Sequence, residues 1–571
     1  MRGQITVDML VIGSGAAGLS AAVTAGLSAA VTAAQGGATV LVAEKASTLG
    51  GTSAWSGGWL WIPRNPLAKE EGFDEPPEAP LAYLQHEMGG QPADTRLRAF
   101  LRHGPEMVEF FRRHTAVQFL SGTRMPDFHS SPGCAAGGRS VTAKPFDGRL
   151  LGDWLHRLRP PLEVISLAGM GIAGGSDMAH FFNATRSPRS ALYASRRLLR
   201  HGWQHLRAGR GQHLVNGNAL VARLLRSALD AGVQFQLNAP AQRLLRDERG
   251  VRGAVLRSDD GEVQVSARAV VLACGGFPHD RARLAQQVPH APGGYGHFSA
   301  APPVNQGDGI RLGEAAGGQF DDTLKNPMAW APVSRVTLAS GQQLVFPHLV
   351  ERAKPGFMAV LPDGRRFVNE ADSYHDFIAA LLAATPAGET PVAWLLADSR
   401  ALRRYGLGHA RPFPFSPQAW LRTGYLQSAD TLEGLAERCG IDAAGLRDSV
   451  SRFNGFADRG EDPDFQRGAS AYNRAQGDGG VTLGRLSEAP FYAVRILPGS
   501  LGSFSGLVTD DAARVLDAGQ RPVNGLYAVG NDMASVMRGY YPSGGITLGP
   551  AMTFGYLVGK AVAAGCRGRT A

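Results

Sequence analysis

The segment TVDMLVIGSGAAGLSAAVTAGLSAAVTAAQGGATVLVAEK, residues 6–45, constrains the fold more than any other part of the chain. A short apolar run of the kind that forms a buried parallel strand leads through Gly13, Gly15 and Gly18 into an alanine-rich stretch that reads as helix. The three glycines satisfy GxGxxG. The first permits a tight turn, the second lets a pyrophosphate approach the backbone, and the third lets helix and strand pack closely. Free N–H groups at the helix start are expected to face the phosphates. A second apolar run, ATVLVAEK, ends in Glu44, whose carboxylate suits both hydroxyls of an adenosine ribose and disfavours a 2′-phosphate. In a chain with 74 glycines the fingerprint alone is weak, but strand, glycines, helix, strand and acid in order indicate a dinucleotide site.

Within this segment the octapeptide GLSAAVTA occurs twice in tandem, at 18–25 and 26–33. It stretches the spacing from Gly13 to Glu44 to 31 residues, against the roughly 20 usual between fingerprint and acid. Eight extra helical residues add about 12 Å and about 80° of rotation, so a simple longer helix turns its apolar face off the sheet. The expected accommodation keeps the first copy on the phosphate-binding turn and extends or bulges the far end before Gly36. Gly26 is the expected weak point, because glycine inside a helix costs roughly 1 kcal/mol relative to alanine. Neutral slippage is the alternative reading of the repeat.

The 571 residues suffice for two domains. No apolar run reaches the roughly 18–20 residues needed to span a bilayer, and MRGQITVDML lacks the regions of a signal peptide, so the expected compartment is the cytoplasm. The cysteines at 134, 274, 439 and 566 form no CxxC or Cys/His cluster, so no metal site is expected. The net charge is +9, carried by six lysines and 52 arginines. The arginines are scattered through helical patterns such as RRLLRHGWQHLRAGRG, without a nucleic-acid-binding signature. A solvated basic face is the first reading, attraction to an anionic substrate or membrane surface the second.

Further along, NGNALVARLLRSALDAGVQFQLN reads as an amphipathic helix and a strand, RLLRDERGVRGAVLRSDDGEVQVSA as a β-meander, and ARAVVLACGGF as another strand delivering a glycine loop. RPVNGLYAVGND and GGITLGPAMTFGYLVGKAVAAG supply a late strand, a loop and a helix. The expected fold is therefore α/β: a discontinuous Rossmann-like nucleotide domain, 1–277 and 491–571, with an inserted α+β substrate domain at 278–490.

After the acid, ASTLGGTSAWSGGWLW offers small residues and hydroxyls to a flat ring. Together with GSGAAG, Glu44, ACGGF and AVGND it resembles the flavoprotein superfamily of fumarate reductases and 3-ketosteroid dehydrogenases, which implies FAD. By that resemblance Gly13, Ser14, Gly15, Ala17, Gly18, Glu44, Lys45, Gly51, Thr52, Ser53, Gly58, Gly276, Gly530, Asn531 and Leu548 are FAD contacts. The family's histidine for covalent flavin is replaced by TSAWSGG, implying noncovalent FAD.

PDFH at 126–129, RRFVNEADSYHDF at 365–377 and NDMASVMRGYYPSGGITLGPAMTFGYL at 531–557 resemble the ketosteroid dehydrogenase branch. The resemblance implies desaturation beside a ring ketone, on a 3-ketosteroid or a smaller cyclic ketone, with an unidentified electron acceptor. Tyr541 and the Gly545 N–H then bind the ketone oxygen. A helix starting near Gly545 adds its positive end. Tyr374 is the proton-abstracting tyrosine. An unperturbed phenol, with pKa near 10, is a poor base at neutral pH, so its surroundings are expected to favour ionisation. The family's assisting tyrosine is Phe128 here, which leaves Tyr540, Tyr193 or a different substrate pose as alternatives. Tyr193 otherwise reads as an amphipathic-helix residue and Cys274 as a small buried side chain. Arg538 departs from the small residue usual in this branch, and alone favours the alternative of a fumarate-reductase-like enzyme acting on an unsaturated dicarboxylate.

Overall fold

The computed structural model describes residues 4–30, 38–258, 261–338 and 340–567. β1 (Gln4–Ile12) enters the core as its β-branched and apolar residues become fully buried, and pairs in parallel with β2 (Val40–Ala43). β2 pairs with β4 (Gln234–Gln236) and β1 with β5 (Gly261–Leu272), both in parallel. β5 in turn pairs with β9 (Pro522–Ala528), so strands more than 500 residues apart share one sheet. An antiparallel excursion, Ala241–Asp247 and Gly250–Ser258, extends from β5 as the turn pattern predicts.

α1 (Ala16–Ala30) lies between this sheet and α5 (Leu548–Arg567). The two helices approach so closely that a Cβ on Gly555 would sit 2.4 Å from the Ala17 carbonyl, and one on Gly559 2.5 Å from that of Ala21. Ser20 Oγ donates to the Met552 carbonyl at 2.8 Å across the same seam. The first copy of the octapeptide supplies this face. α1 continues through Gly26 without a break, and Gly26 is a close packing position: a Cβ there would lie 3.1 Å from Ala231 Cβ, just beyond α3 (Asn216–Asp230). The end of the second copy, and the expected bulge before Gly36, lie outside the described residues.

The second sheet is mainly antiparallel. Its long central strand, β8 (Phe491–Ser503), is flanked by β6 (Met328–Thr337) and β7 (Ala393–Ala397). The expected domain boundary at 490/491 is therefore displaced: β8 belongs to the inserted sheet, and the first sheet resumes only at Arg514–Leu516. The short strand β3 (Trp59–Trp61) pairs antiparallel with Ser140–Ala143.

Candidate active site

A continuous cavity of about 1940 Å³ opens at the C-terminal ends of β1, β2, β5 and β9 and runs to the second sheet. Strand ends of this kind are where open α/β sheets take ligands. The volume exceeds the roughly 300–1,000 Å³ of a single small-molecule site, leaving room for a dinucleotide and a second molecule. Ser14, Gly15, Ala17, Lys45, Gly51, Thr52, Ser53, Gly58, Gly530, Asn531 and Leu548 line it, with Gly13 and Glu44. Gly13 has φ +110°, and a Cβ there would lie 2.2 Å from the Ala273 carbonyl, so only glycine fits the turn. Gly18 does its expected packing work from below, its Cα facing the Gly13 carbonyl and Val11.

The polar groups in this half are already organised. Glu44 accepts hydrogen bonds from Ser14 N–H (3.1 Å), Ser14 Oγ (2.5 Å) and Ala46 N–H (2.8 Å). Lys45 Nζ lies 2.5 Å from Asp308 Oδ2. At the start of α1 the Ala16 N–H donates to Ser53 Oγ at 3.0 Å, so this donor is capped by a side chain rather than free as expected. Gly276 stands behind the cavity wall. Its N–H (2.9 Å) and that of Cys274 (2.6 Å) donate to the carboxylate of Asp532, which is fully buried and raised by burial to about 6. Asp532 thus ties the glycine loop after β5 to the segment after β9. The glycine turn, the hydroxyl cradle and the carboxylate at the strand end fit a dinucleotide.

The other half of the cavity is aromatic. α4 (Tyr374–Ala384) starts on the Ser373 cap, whose Oγ accepts the Asp376 N–H at 3.1 Å, and this presents Tyr374 to the cavity. Tyr374 Oη donates to Tyr541 Oη at 2.7 Å. Phe128 stacks on Tyr541 (centroids 5.7 Å apart, planes at 10°) and meets Tyr374 edge-on at 5.7 Å. Tyr472 lies against Phe128 at 4.4 Å and also lines the cavity. Gly545, at φ +105°, is wedged on β3: a Cβ would lie 2.6 Å from Trp61 N, and its carbonyl accepts the Trp61 and Gly549 N–H groups.

Burial pushes Tyr374 well above its ordinary 10, with the neighbouring Tyr541 acting the same way and the Arg352 guanidinium opposing. Burial likewise pushes Tyr541 up to about 12. Burial thus favours the neutral phenol at both positions, the opposite direction to the expected one. Behind them His129 bridges Glu87 and Asp376 (2.7 Å to Asp376). Burial opposes its charge, but the two carboxylates outweigh this and raise His129 to about 10.

The two expected helpers are elsewhere. Tyr193 Oη donates to Asp177 at 2.9 Å, and Tyr540 Oη lies beside Gly89; neither lines the cavity. Arg538 is also absent from the lining; its residue takes φ +51° and its carbonyl accepts the Lys325 N–H. Cys274 lines the cavity, but burial raises its thiol well above the usual range, so it is no nucleophile. Tyr472, Asp532 and Arg352 are missing from the sequence reading. Asp532 directly follows Gly530 and Asn531 and was within reach of it, whereas SAYNRAQ around Tyr472 carries no signal.

The FAD binding domain family model matches residues 8–548. The chain is 37% identical over 566 residues to the 4-oxocyclohex-2-ene-1-carboxylate 5-dehydrogenase of Sinomonas cyclohexanicum, covering 98% of this chain and 94% of that one. It is 35% identical to the 3-oxosteroid 1-dehydrogenase of Mycolicibacterium smegmatis, covering 99% and 98%. The crystal structure of 3-ketosteroid Δ1-dehydrogenase from Sterolibacterium denitrificans with 1,4-androstadiene-3,17-dione superposes with a TM-score of 0.88 at 35% identity, over 98% of this chain and all of that one. The chain therefore belongs to the FAD binding domain family, as an FAD-dependent oxidoreductase of its 3-oxosteroid dehydrogenase branch.

Proposed function

We propose that the protein desaturates the α,β carbon–carbon bond beside a ring ketone, on a 3-ketosteroid or a cyclic ketone carboxylate. The observation that carries this reading is the Tyr374–Tyr541 hydrogen bond inside a cavity continuous with the dinucleotide groove. The activities named for the relatives support the same reaction class. Bound FAD supplies the hydride acceptor. We assign ketone binding to Tyr541 Oη and the Gly545 N–H, which oppose the charge that develops on the oxygen as the α-proton leaves. Gly545 is held for this by β3, where no side chain fits. Tyr374 takes the α-proton. Because it rests as a phenol, its own proton must first pass on: it moves to Tyr541 Oη as Tyr541 hands its own proton to the ketone oxygen, so Tyr541 stays neutral and the substrate becomes the enol when Tyr374 takes the α-proton. Tyr472 stands where it can assist in place of the missing phenol at Phe128.

Recognition of FAD follows from the lining: Glu44 for the ribose, the Gly13–Gly15 turn for the pyrophosphate, Gly51 to Gly58 and Gly530 to Leu548 toward the ring. The unsaturated-dicarboxylate reading rested on Arg538, and Arg538 is not among the residues lining the cavity. The test is an anaerobic screen of 3-oxosteroids and 4-oxocyclohexanecarboxylates for bleaching of the flavin absorbance. Bleaching by a ring ketone, with a product carrying one new double bond, is expected. Bleached protein reoxidised by fumarate, with no ring ketone active, would overturn the reading.

A further inference from the structure

The longest helix among the described residues, α2 (Pro188–Ala208), leaves one of its faces without a partner among those residues. Ser190, Ala194 and His201 are buried, with His201 Nε2 held by the Ala168 carbonyl at 2.9 Å. At 100° per residue the opposite face carries Leu192, Leu199, Trp203 and Leu206 within a stripe about 60° wide. Their exposures are 72, 75, 56 and 85%. Arg189, Arg196, Arg200 and Arg207 are exposed and follow one another along a single edge of that stripe. The Arg207 guanidinium lies 4.1 Å over the Trp203 ring. The basic run is thus more than a solvated face, because its apolar half is exposed as well.

A second observation links this helix to the cavity. Leu198, on α2, lines the cavity while 40% exposed, and so do Ile165 (47%), Phe413 (48%) and Phe415 (49%). The cavity therefore has an apolar, solvent-facing rim that begins on the same helix.

We propose that α2 is a peripheral docking element for an anionic phospholipid bilayer, which receives the Leu192–Leu199–Trp203–Leu206 stripe while the flanking arginines meet lipid phosphates. The combination of a Leu/Trp stripe with an arginine edge is what an interfacial helix needs: apolar area to enter the headgroup boundary and positive charge to stay there. Charge complementarity selects this occupant over an uncharged apolar partner. With no described helix long and apolar enough to cross a membrane, attachment is from one side. The rim then faces the lipid surface from which an apolar ring compound is drawn.

The experiment is co-sedimentation of the FAD-loaded protein with phosphatidylcholine vesicles, with and without phosphatidylglycerol. Binding is expected to require phosphatidylglycerol. It should weaken when salt rises from about 0.1 M to about 1 M, which shortens the screening length from about 10 to about 3 Å. Arg196→Gln and Arg200→Gln should each lower the partition coefficient about fivefold. Leu199→Glu/Trp203→Glu should abolish binding while retaining flavin and melting temperature. Trp203→Phe should remove most of the blue shift in emission that vesicles cause in the parent. Equal binding to neutral and anionic vesicles, binding unchanged in the Glu pair, or no binding at low salt would overturn the proposal. So would a parent dimer that the Glu pair splits into monomers, since a second copy would then own the stripe.

Discussion

Tyr374 and Tyr541 share a 2.7 Å hydrogen bond although 167 positions separate them, and Tyr374 is its donor. In the proposed mechanism the two do different work: Tyr541 binds the ketone oxygen and Tyr374 takes the α-proton. Their phenylalanine variants should therefore fail differently. Tyr541→Phe removes one of two oxygen-binding donors, for which turnover losses of about 100- to 1,000-fold are typical. Tyr374→Phe should leave ketone binding intact while flavin reduction nearly stops. Single-turnover stopped-flow with saturating ketone separates the two. Near-normal reduction in Tyr374→Phe would remove it as base.

Tyr472→Phe tests whether the phenol missing at Phe128 is supplied from another element. Tyr472 is buried against Phe128, and only its hydroxyl changes in the variant, so the fold should hold. A fall of about 10- to 100-fold in flavin reduction, at the low end of general acid–base contributions, is expected, with little change in ketone affinity. Unchanged reduction would make Tyr472 a packing residue.

Activity and stability should move oppositely with alkaline pH. Because Tyr374 is raised above 10, its phenolate fraction grows about tenfold per pH unit, and kcat/KM should climb without a plateau between about pH 7 and 9. His129 is raised in the fold to about 10 from an ordinary 6.5. The folded state thus holds the proton that the unfolded state gives up. Its stabilisation is complete below about pH 6.5 and disappears as pH rises toward 10. The melting temperature should fall across that window, and His129→Gln should flatten the fall. A rate plateau below pH 8 would contradict the phenol assignment.

Glu44→Gln should weaken FAD retention by about 1.5–3 kcal/mol, the worth of a hydrogen bond to a charged group. Ultrafiltration followed by flavin absorbance measures it. Denaturation of the parent should release all of its flavin, since TSAWSGG offers no histidine for attachment.

Deleting residues 26–33 should leave FAD and activity in place, because the α1 residues that meet Gly555 and Gly559 all belong to 17–25. Among the described residues the deletion takes away the packing of Gly26 on Ala231 and of Leu27 against the core, and leaves that seam intact. Flavin content and melting temperature of the shortened protein decide the matter; loss of flavin would make the second copy integral to the fold.

What could be read from the sequence was what neighbouring residues settle among themselves. Gly13, Gly18 and Glu44 announce a strand, a close-packed helix and a carboxylate because a turn and two strand ends fix them locally. Tyr541 and Gly545 were singled out only because one short glycine-rich segment resembles a known family. The phenol proposed to assist was not. Tyr540 is adjacent to Tyr541 in sequence but lies beside Gly89, whereas Tyr472, on the short helix Ala471–Gln476, meets Phe128 from far along the chain. The boundary at 491 slipped likewise: FYAVRILPGSLGS has the apolar character of a strand in either sheet, and only pairing with Ala393–Ala397 and Met328–Thr337 decides which. Burial of Tyr374, which opposes its ionisation and outweighs Arg352, is invisible in a one-dimensional pattern.

The seam between α1 and α5 sets an order on biosynthesis. Ala17 and Ala21 are synthesised 538 residues ahead of Gly555 and Gly559, the residues that cover them. At about 5–20 residues per second, that is a wait of roughly 25 to 100 s with the backbone of the phosphate-binding helix bare. Asp532 and Leu548, which complete the nucleotide groove, are made in the same late interval. The nascent chain therefore has its fingerprint first and its finished groove last, and the complete groove meets the cofactor only once synthesis has passed Leu548.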